Sequence, residues 1–311
     1  MERRNPVITV VGSFNTDLMA RSPRMPRAGE TILGGPFQMG PGGKGANQAV
    51  ATARLGSPVF MVSCVGEDVF GDLALSNLSK EGVDISFVAR DSTIHTGVAL
   101  IVVDEQGENM IVVAPGANFS LTPDMVGRAT RAIREADVLL TQLEIPTESV
   151  ERALRIAKDN QVTTILNPAP ARVLSPAILK YVDVLTPNRS EASLLTGIEI
   201  TNQSSIRKAA QRLFKQGVET VVFTLGSEGA LIVTSEKFQH IPGQKVQVVD
   251  TTGAGDAFNG GLAFALSRDD DLVEAVRFAN AVAALSVTKV GTAPSMPTER
   301  EVRSFLNKAS S

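Results

Sequence analysis

The chain has 311 residues, of which 43% are hydrophobic and 20% charged, with a net charge of −3. That length carries a large core in one α/β domain, and the acidic balance gives no basic field, so nucleic acid is not an expected partner. Cys64 is the only cysteine and His95 and His240 the only histidines, which excludes an internal disulfide, a thiolate zinc cluster and a His-based metal site.

The polar start Met1-Glu2-Arg3-Arg4-Asn5-Pro6 lacks an apolar segment, and no apolar run approaches ~18 residues. Neither export nor membrane insertion is expected, and a cytoplasmic location is the default. Val7–Val11 predicts a strand buried on both faces, followed by Gly12-Ser13-Phe14-Asn15-Thr16-Asp17. Residues 21–40 are rich in Pro and Gly, with short strand-like pieces at Thr31–Leu33 and Phe37–Met39. Gly40-Pro41-Gly42-Gly43-Lys44-Gly45-Ala46-Asn47-Gln48-Ala49 then enters a helix that runs through Leu55 and stops at Gly56. Gly40, Gly42 and Gly45 spell G-x-G-x-x-G, but the preceding strand is short and polar, and the next ends in Ser63-Cys64-Val65-Gly66 with no acidic residue. A dinucleotide fingerprint does not fit. Nor does a Walker A loop, because Gly45 follows Lys44 where Ser or Thr is required.

Val59–Val65, which holds Cys64 as a small buried hydrophobe, predicts a strand, and Phe70–Glu81 a helix with Gly82 as its stop. Gly97–Val103 and Met110–Val113, around the turn 104–108, predict a hairpin. The β-rich stretches at about 21–40 and 95–115 interrupt the α/β alternation, and are expected to pair into one small sheet standing off the main domain. Beyond them, strands are predicted at Val138–Leu143, Thr163–Leu166, Val182–Leu185 and Thr220–Thr224, and helices at Thr147–Lys158, Ser190–Thr196 and Ile206–Lys215. Ala230–Val233 and the stretch from Phe238 to Val249 predict antiparallel strands, with Val246, Val248 and Val249 leading into Asp250. Gly260–Leu266 and the almost wholly apolar Leu272–Val287 predict buried helices. The fold class is therefore α/β: a three-layer domain with a mostly parallel sheet flanked by helices, whose ligands bind beyond the carboxyl ends of the strands.

Polar residues collect at those ends: Asn15 and Asp17, Gln142 and Glu144, Asn167, Asn188 and Glu191, Thr224 and Gly226, and the run Asp250 to Asp256. In Asp250-Thr251-Thr252-Gly253-Ala254-Gly255-Asp256, two glycines permit a tight turn and bare-backbone approach to a ligand, and helix-start amides seek an anion. Asp256 reads either as a helix N-cap or as the acceptor of a hydroxyl proton beside a phosphoryl group. Asn188 and Glu191 read either as a cap with its N3 partner or as ligands to the water shell of a magnesium ion.

Together, Gly42-Gly43-Lys44-Gly45-Ala46-Asn47-Gln48-Ala49, Gly66-Glu67-Asp68, Asn167-Pro168-Ala169-Pro170-Ala171, Thr186-Pro187-Asn188-Arg189-Ser190-Glu191 and Asp250 to Phe258 resemble the ribokinase family of ATP-dependent carbohydrate kinases, in order, from about residue 7 to 306. The resemblance implies one kinase domain over 1–311, with a lid built from two insertions, about 14–42 and 94–117. It implies phosphorylation of D-ribose at O5 by MgATP; the alternatives are another sugar or nucleoside (deoxyribose, fructose, ketodeoxygluconate, adenosine) or an idle sugar-binding regulator, which would be expected to lack Asp256. Asp256 would take the proton while Gly253, Ala254 and Gly255 stabilise the transferring group. Asn15, Asp17, Gly43, Lys44, Asn47 and Glu144 would hold the sugar. Asn188, Thr224, Leu225, Gly226, Ser227, Glu228, Gly229, Gly255 and Asn280 would bind ATP, with Glu191 reaching magnesium through water. A potassium site would map to Asp250, Thr252, Ser286, Lys289, Gly291 and Ser295. A homodimer through the lid is implied as well, and Pro41 is an unusual neighbour for the glycine pair.

Overall fold

The computed structural model describes residues 5–309; the polar residues 1–4 that argued against a leader lie outside it. Its strands are β1 (Ile8–Val11), β2 (Asn15–Arg21), β3 (Phe37–Gly42), β4 (Val59–Gly66), β5 (Val83–Asp91), β6 (Gly97–Val103), β7 (Asn109–Ala114), β8 (Val138–Thr141), β9 (Thr163–Leu166), β10 (Val184–Leu185), β11 (Thr220–Thr224), β12 (Gly229–Val233) and β13 (Phe238–Pro242). Nine form one sheet in the order β13-β12-β11-β10-β9-β8-β1-β4-β5, and β3-β2-β6-β7 form a second. Neighbours from β5 to β11 run parallel, while β12 is antiparallel to both β11 and β13.

Alternation along β1 sends Ile8 and Val10 into one core and Val11 into the other. The first core packs the helices Lys44–Arg54, Ala254–Leu266 and Leu272–Ser286; the second packs Thr147–Asp159 and Gln203–Phe214. This is the three-layer arrangement expected from the alternation, and Cys64 is buried within it. From β1 the chain proceeds through β4 to β5 on one side, then returns to build β8 and the rest on the other. The order reverses between β1 and β8, and the crevice beyond their carboxyl ends is where such sheets bind ligands. The residues that follow there are Gly12 and Ser13 on one strand and Gln142 to Glu144 on the other.

Several expectations need correction. Thr31–Leu33 forms no strand; Leu33 is 91% exposed and has no ladder to join. The strand expected through Val249 stops at Pro242, after which Gly243 N–H turns back to the Glu228 carbonyl. Val249 N–H instead donates to the Val287 carbonyl, so the segment before Asp250 is irregular and exposed. Val138–Leu143 ends at Thr141 and Val182–Leu185 begins at Val184. The edge strand β5, the helices within 123–134 and the helix Glu299–Ala309 were not anticipated. No helix among the described residues is long and apolar enough to cross a membrane.

Candidate active site

The start of the Lys44–Arg54 helix is pressed onto the turn after β1. Gly43 has φ +88, and a Cβ there would lie 2.6 Å from Asn15 N; one on Gly45 would lie 2.5 Å from Ser13 N. Only glycine permits this approach. Ala46 N–H then donates to Ser13 O at 2.9 Å. Glu144 locks the junction, its Oε2 accepting from Ser13 Oγ at 2.5 Å and from Lys44 N at 3.0 Å. Asn15 is buried and accepts from Asn118 Nδ2 at 2.8 Å, while Asn118 also clamps the Phe14 backbone. Asp17 lies over Gly42, where a Cβ would meet its Oδ1 at 2.1 Å. Burial, then the charges of Glu144 and Asp256, push the Asp17 carboxyl up to about 7.

Asp256 arrives from the other side of the crevice, in the first turn of Ala254–Leu266. Glycine again sets the distance: a Cβ on Gly260 would lie 2.6 Å from Ala51 Cβ, so the two helices nearly touch there. Asp256 is 6% exposed. Its Oδ2 accepts from Asn47 Nδ2 at 3.0 Å and its Oδ1 from Gln48 Nε2 at 2.9 Å. Gln48 is itself oriented by Asn167 Oδ1 and by Gln142 Nε2, at 3.1 and 2.6 Å. Lys44 is held above its usual range, by Asp256 foremost, against the opposing effect of burial, with Glu144 and Glu191 adding. Asn47 Oδ1 and Gln142 Oε1 are buried without a hydrogen-bond partner among the described residues, a costly condition that a ligand hydroxyl would relieve at Asn47.

Beside Asp256, Gly253 takes φ +77 and starts the helix. Ala254 N–H donates to Thr251 O at 3.2 Å, so its amide is already engaged, unlike the role expected of it. The Gly255 and Asp256 amides lie in the first helical turn, where no preceding turn supplies acceptors. Nothing stands within 4 Å of where a Gly255 Cβ would be, so this part of the turn is open to an anion. Asn259 braces it, donating to Gly255 O at 2.8 Å and accepting from Thr186 Oγ1 at 2.7 Å.

Lys44, Asn167, Glu191 and Asp256 line a cavity of about 210 Å³. It shares Asn188, Thr224, Thr251, Ala254 and Gly255 with a cleft of about 690 Å³. Thr224, Gly226, Ser227, Gly229 and Asn280 line the larger space as expected. Leu225 packs into the core instead, and Glu228 turns to Arg189 at 2.9 Å, so those two side chains are not part of the lining. The cleft gains an apolar wall that the sequence reading missed: Val246, Val248, Phe258, Ala283, Ala284 and Val287. Asn188 and Glu191 form the complete capping box, at 2.8 Å in both directions. Burial raises the Glu191 carboxyl, against the Asn188 amide and Lys44.

Asp250 accepts from Thr252 N and Gly291 N, each at 2.9 Å, which gathers three of the expected cation residues. Burial alone would raise its carboxyl, yet these hydrogen bonds hold it below the usual range. Ser286 Oγ and Ser295 Oγ donate to Ala283 O and Thr292 O, and Lys289 pairs with Glu301 at 3.1 Å. Those three side chains are thus occupied elsewhere. Ser13, Gln48 and Asn118 were not singled out as site residues; Gln48 lies inside a motif that was read, but its partner is 208 positions away.

Residues 6–299 match the pfkB family of carbohydrate kinases. A ribokinase from Haemophilus influenzae is 44% identical over 97% of this chain and 99% of its own length, and a deoxyribokinase from Salmonella typhi is 37% identical over 96% and 98%. The structure of Arabidopsis thaliana ribokinase complexed with ribose and ATP is similar at a TM-score of 0.92, with 34% identity across 97% of this chain and 98% of that one. With the family match over residues 6–299 and relatives 37–44% identical along nearly the whole chain, the chain is a member of the pfkB family of carbohydrate kinases.

Proposed function

We propose that this chain transfers the γ-phosphoryl group of ATP to O5 of D-ribose, giving ribose 5-phosphate and ADP. The observation that carries the reading is Asp256, buried, gripped by two carboxamides, and set at the turn where the sugar-sized crevice meets the nucleotide-sized cleft. Its carboxylate accepts the O5 proton as O5 attacks phosphorus and the bond to the β-phosphate oxygen breaks. The Gly255 and Asp256 amides, with Gly253 shaping the turn, receive charge on the transferring group. Asn15, Asp17, Gly43, Asn47 and Glu144 bind the sugar hydroxyls, for which carboxylates and amides are suited acceptors and donors. Lys44 neutralises the carboxylates around it. The β2-β3-β6-β7 sheet closes as a lid and excludes water.

Magnesium bound with ATP would supply charge neutralisation of the phosphates. Such an ion would arrive on the nucleotide and keep its water, with Glu191, which lines the cavity beside Asp256, meeting it through that shell. Potassium would be held at the Asp250 loop by oxygen donors, the Asp250 carboxylate and the backbone carbonyls of Thr252, Ser286, Lys289, Gly291 and Ser295. The bonds of Asp250 to Thr252 N and Gly291 N support this reading by drawing three of these residues together. A cytoplasmic homodimer is the expected form. Steady-state phosphorylation of ribose, 2-deoxyribose, fructose, ketodeoxygluconate and adenosine tests the assignment. Ribose should give the highest kcat/KM, and a higher value for any other acceptor reassigns the substrate.

A further inference from the structure

The small sheet and the anion-binding turn are joined at one side chain. Thr292 is 7% exposed, and its Oγ1 donates to Pro41 O at 3.0 Å, across 251 positions of sequence. Pro41 lies in β3, opposite Thr16 of β2, and directly precedes the glycines at the start of the Lys44–Arg54 helix. On its other side, Thr292 packs against the turn: its Cγ2, Cβ and Cα lie 3.2, 3.3 and 3.4 Å from the place of a Gly253 Cβ. The hydroxyl therefore holds the small sheet while the carbon skeleton abuts the glycine that opens the phosphoryl-binding turn.

The surrounding bonds make this contact the adjustable one. Gly291 N–H is fixed to Asp250, and the Thr292 carbonyl accepts from Ser295 N and Oγ. Farther along, Arg54 donates to the Pro294 and Met296 carbonyls at 3.0 Å, and is itself held by two 2.6 Å bonds to Glu81. The far end of the loop is thus charge-clamped to the main domain, whereas among the described residues the near end meets β3 through one neutral hydroxyl bond. A cavity of about 210 Å³, lined by Phe14, Pro41, Ala46, Val50, Ala293 and Pro294 among others, lies alongside and leaves room for movement.

We propose that Thr292 is a positioning residue that ties strand β3 to the Gly253 turn, so that seating the small sheet over the sugar also sets the amides that receive the phosphoryl group. The inference rests on the kinase reading above, and its test is separable from that reading. Thr292→Val keeps the carbon contacts with Gly253 and deletes the donor; Thr292→Ser keeps the donor and the Cα and Cβ contacts. Thr292→Val should lower kcat about tenfold, the scale of a small misplacement of reacting groups, with the KM for ATP within about twofold of wild type; Thr292→Ser should restore most of the rate. Hydrogen exchange on the ligand-free protein gives the decisive readout. Thr292→Val should speed exchange in segments 39–45 and 252–256 together, and Thr292→Ser in neither. Unchanged exchange at 252–256 in Thr292→Val, or identical behaviour of the two variants, overturns the proposal. A wild-type protein that phosphorylates no sugar overturns the kinase reading, and the ligand-free exchange comparison still decides the role of Thr292.

Discussion

At Asp256 each carboxylate oxygen accepts from one carboxamide, Asn47 on one side and Gln48 on the other. Such a grip fixes the plane of the carboxylate and leaves lone pairs for a substrate proton. Asp256→Asn is nearly isosteric but cannot take that proton, so kcat should fall by ~10²–10⁴ while ATP binding, followed by calorimetry, stays near wild type. A variant retaining more than a tenth of the rate would remove Asp256 as the base. Asp17 gives a separate signature. Its carboxyl, raised to about 7 in the ligand-free protein, is mostly protonated at lower pH. A carboxylate accepts two hydroxyl hydrogen bonds better than a carboxylic acid does, so kcat/KM for the sugar should rise with pH toward about 7 and then level. Asp17→Asn should lower kcat/KM and flatten that limb; an unchanged limb would assign the ionisation to another group. Both aspartates were legible in the sequence, because each sits in a short polar run at a strand or helix end. Gln48, Asn118 and Ser13 were not, since their importance lies in partners 208, 103 and 131 positions away, which a local pattern does not reveal.

The elements around the site show the same division. Strands buried on both faces, such as β1 and β4, announce themselves as apolar runs, and the helix Leu272–Ser286 by its apolar circumference. The run Val246 to Val249 misleads for a physical reason: its valines line the large cleft or lie exposed rather than forming a ladder. Apolar residues that serve a ligand and apolar residues that serve a sheet look alike in one dimension. Edge strand β5 is missed because its outer face carries the exposed polar residues Asp84, Ser86 and Arg90, which break up the apolar run of Val83, Ile85, Phe87 and Ala89. Asp250 and the loop after the Leu272–Ser286 helix make the testable unit at this scale. With Asp250 bonded to Thr252 N and Gly291 N, a monovalent cation among the nearby carbonyls would order the turn without touching substrate. Rates should be higher in potassium than in sodium or a bulky organic cation. Asp250→Ala should erase that difference and lower kcat roughly tenfold, as a misplaced turn would. Equal wild-type rates in all three cations would remove the site.

Across the whole molecule, the register of the small sheet separates two faces with different chemistry. Asn15 and Asp17 lie on one face, opposite Gly42 and Gly40 of β3 and Gly97 and Ala99 of β6. On the other, Met39, Leu18, Leu100 and Val112 stand in one row across all four strands, and Phe37, Ala20, Val102 and Met110 in the next. Directly paired residues share a face, so this is a continuous apolar surface on the side of the sheet opposite Asn15 and Asp17. It is also bare: Phe37, Leu100, Met110 and Val112 are 63%, 51%, 59% and 66% exposed. A four-stranded sheet with an uncovered apolar face favours association. Two copies related by a two-fold axis would cover both apolar surfaces, and each would leave the face that carries Asn15 and Asp17 toward its own crevice. The two apolar runs of β6 and β7 around a Gly-containing turn made a hairpin legible in the sequence, but the outward row appears only once β2 and β3 are placed in register with it. The chain should therefore sediment as a dimer at micromolar concentration. Leu100→Lys, at the centre of the row, should shift it to monomer, because burying an unpaired ammonium costs more than the lost contact alone. Sugar should slow hydrogen exchange across 94–117 in the wild type, and the monomeric variant should show weaker protection and a higher sugar KM. A wild-type monomer with full activity would separate the apolar face from catalysis, and unchanged exchange on adding sugar would end the assignment of the small sheet as a lid.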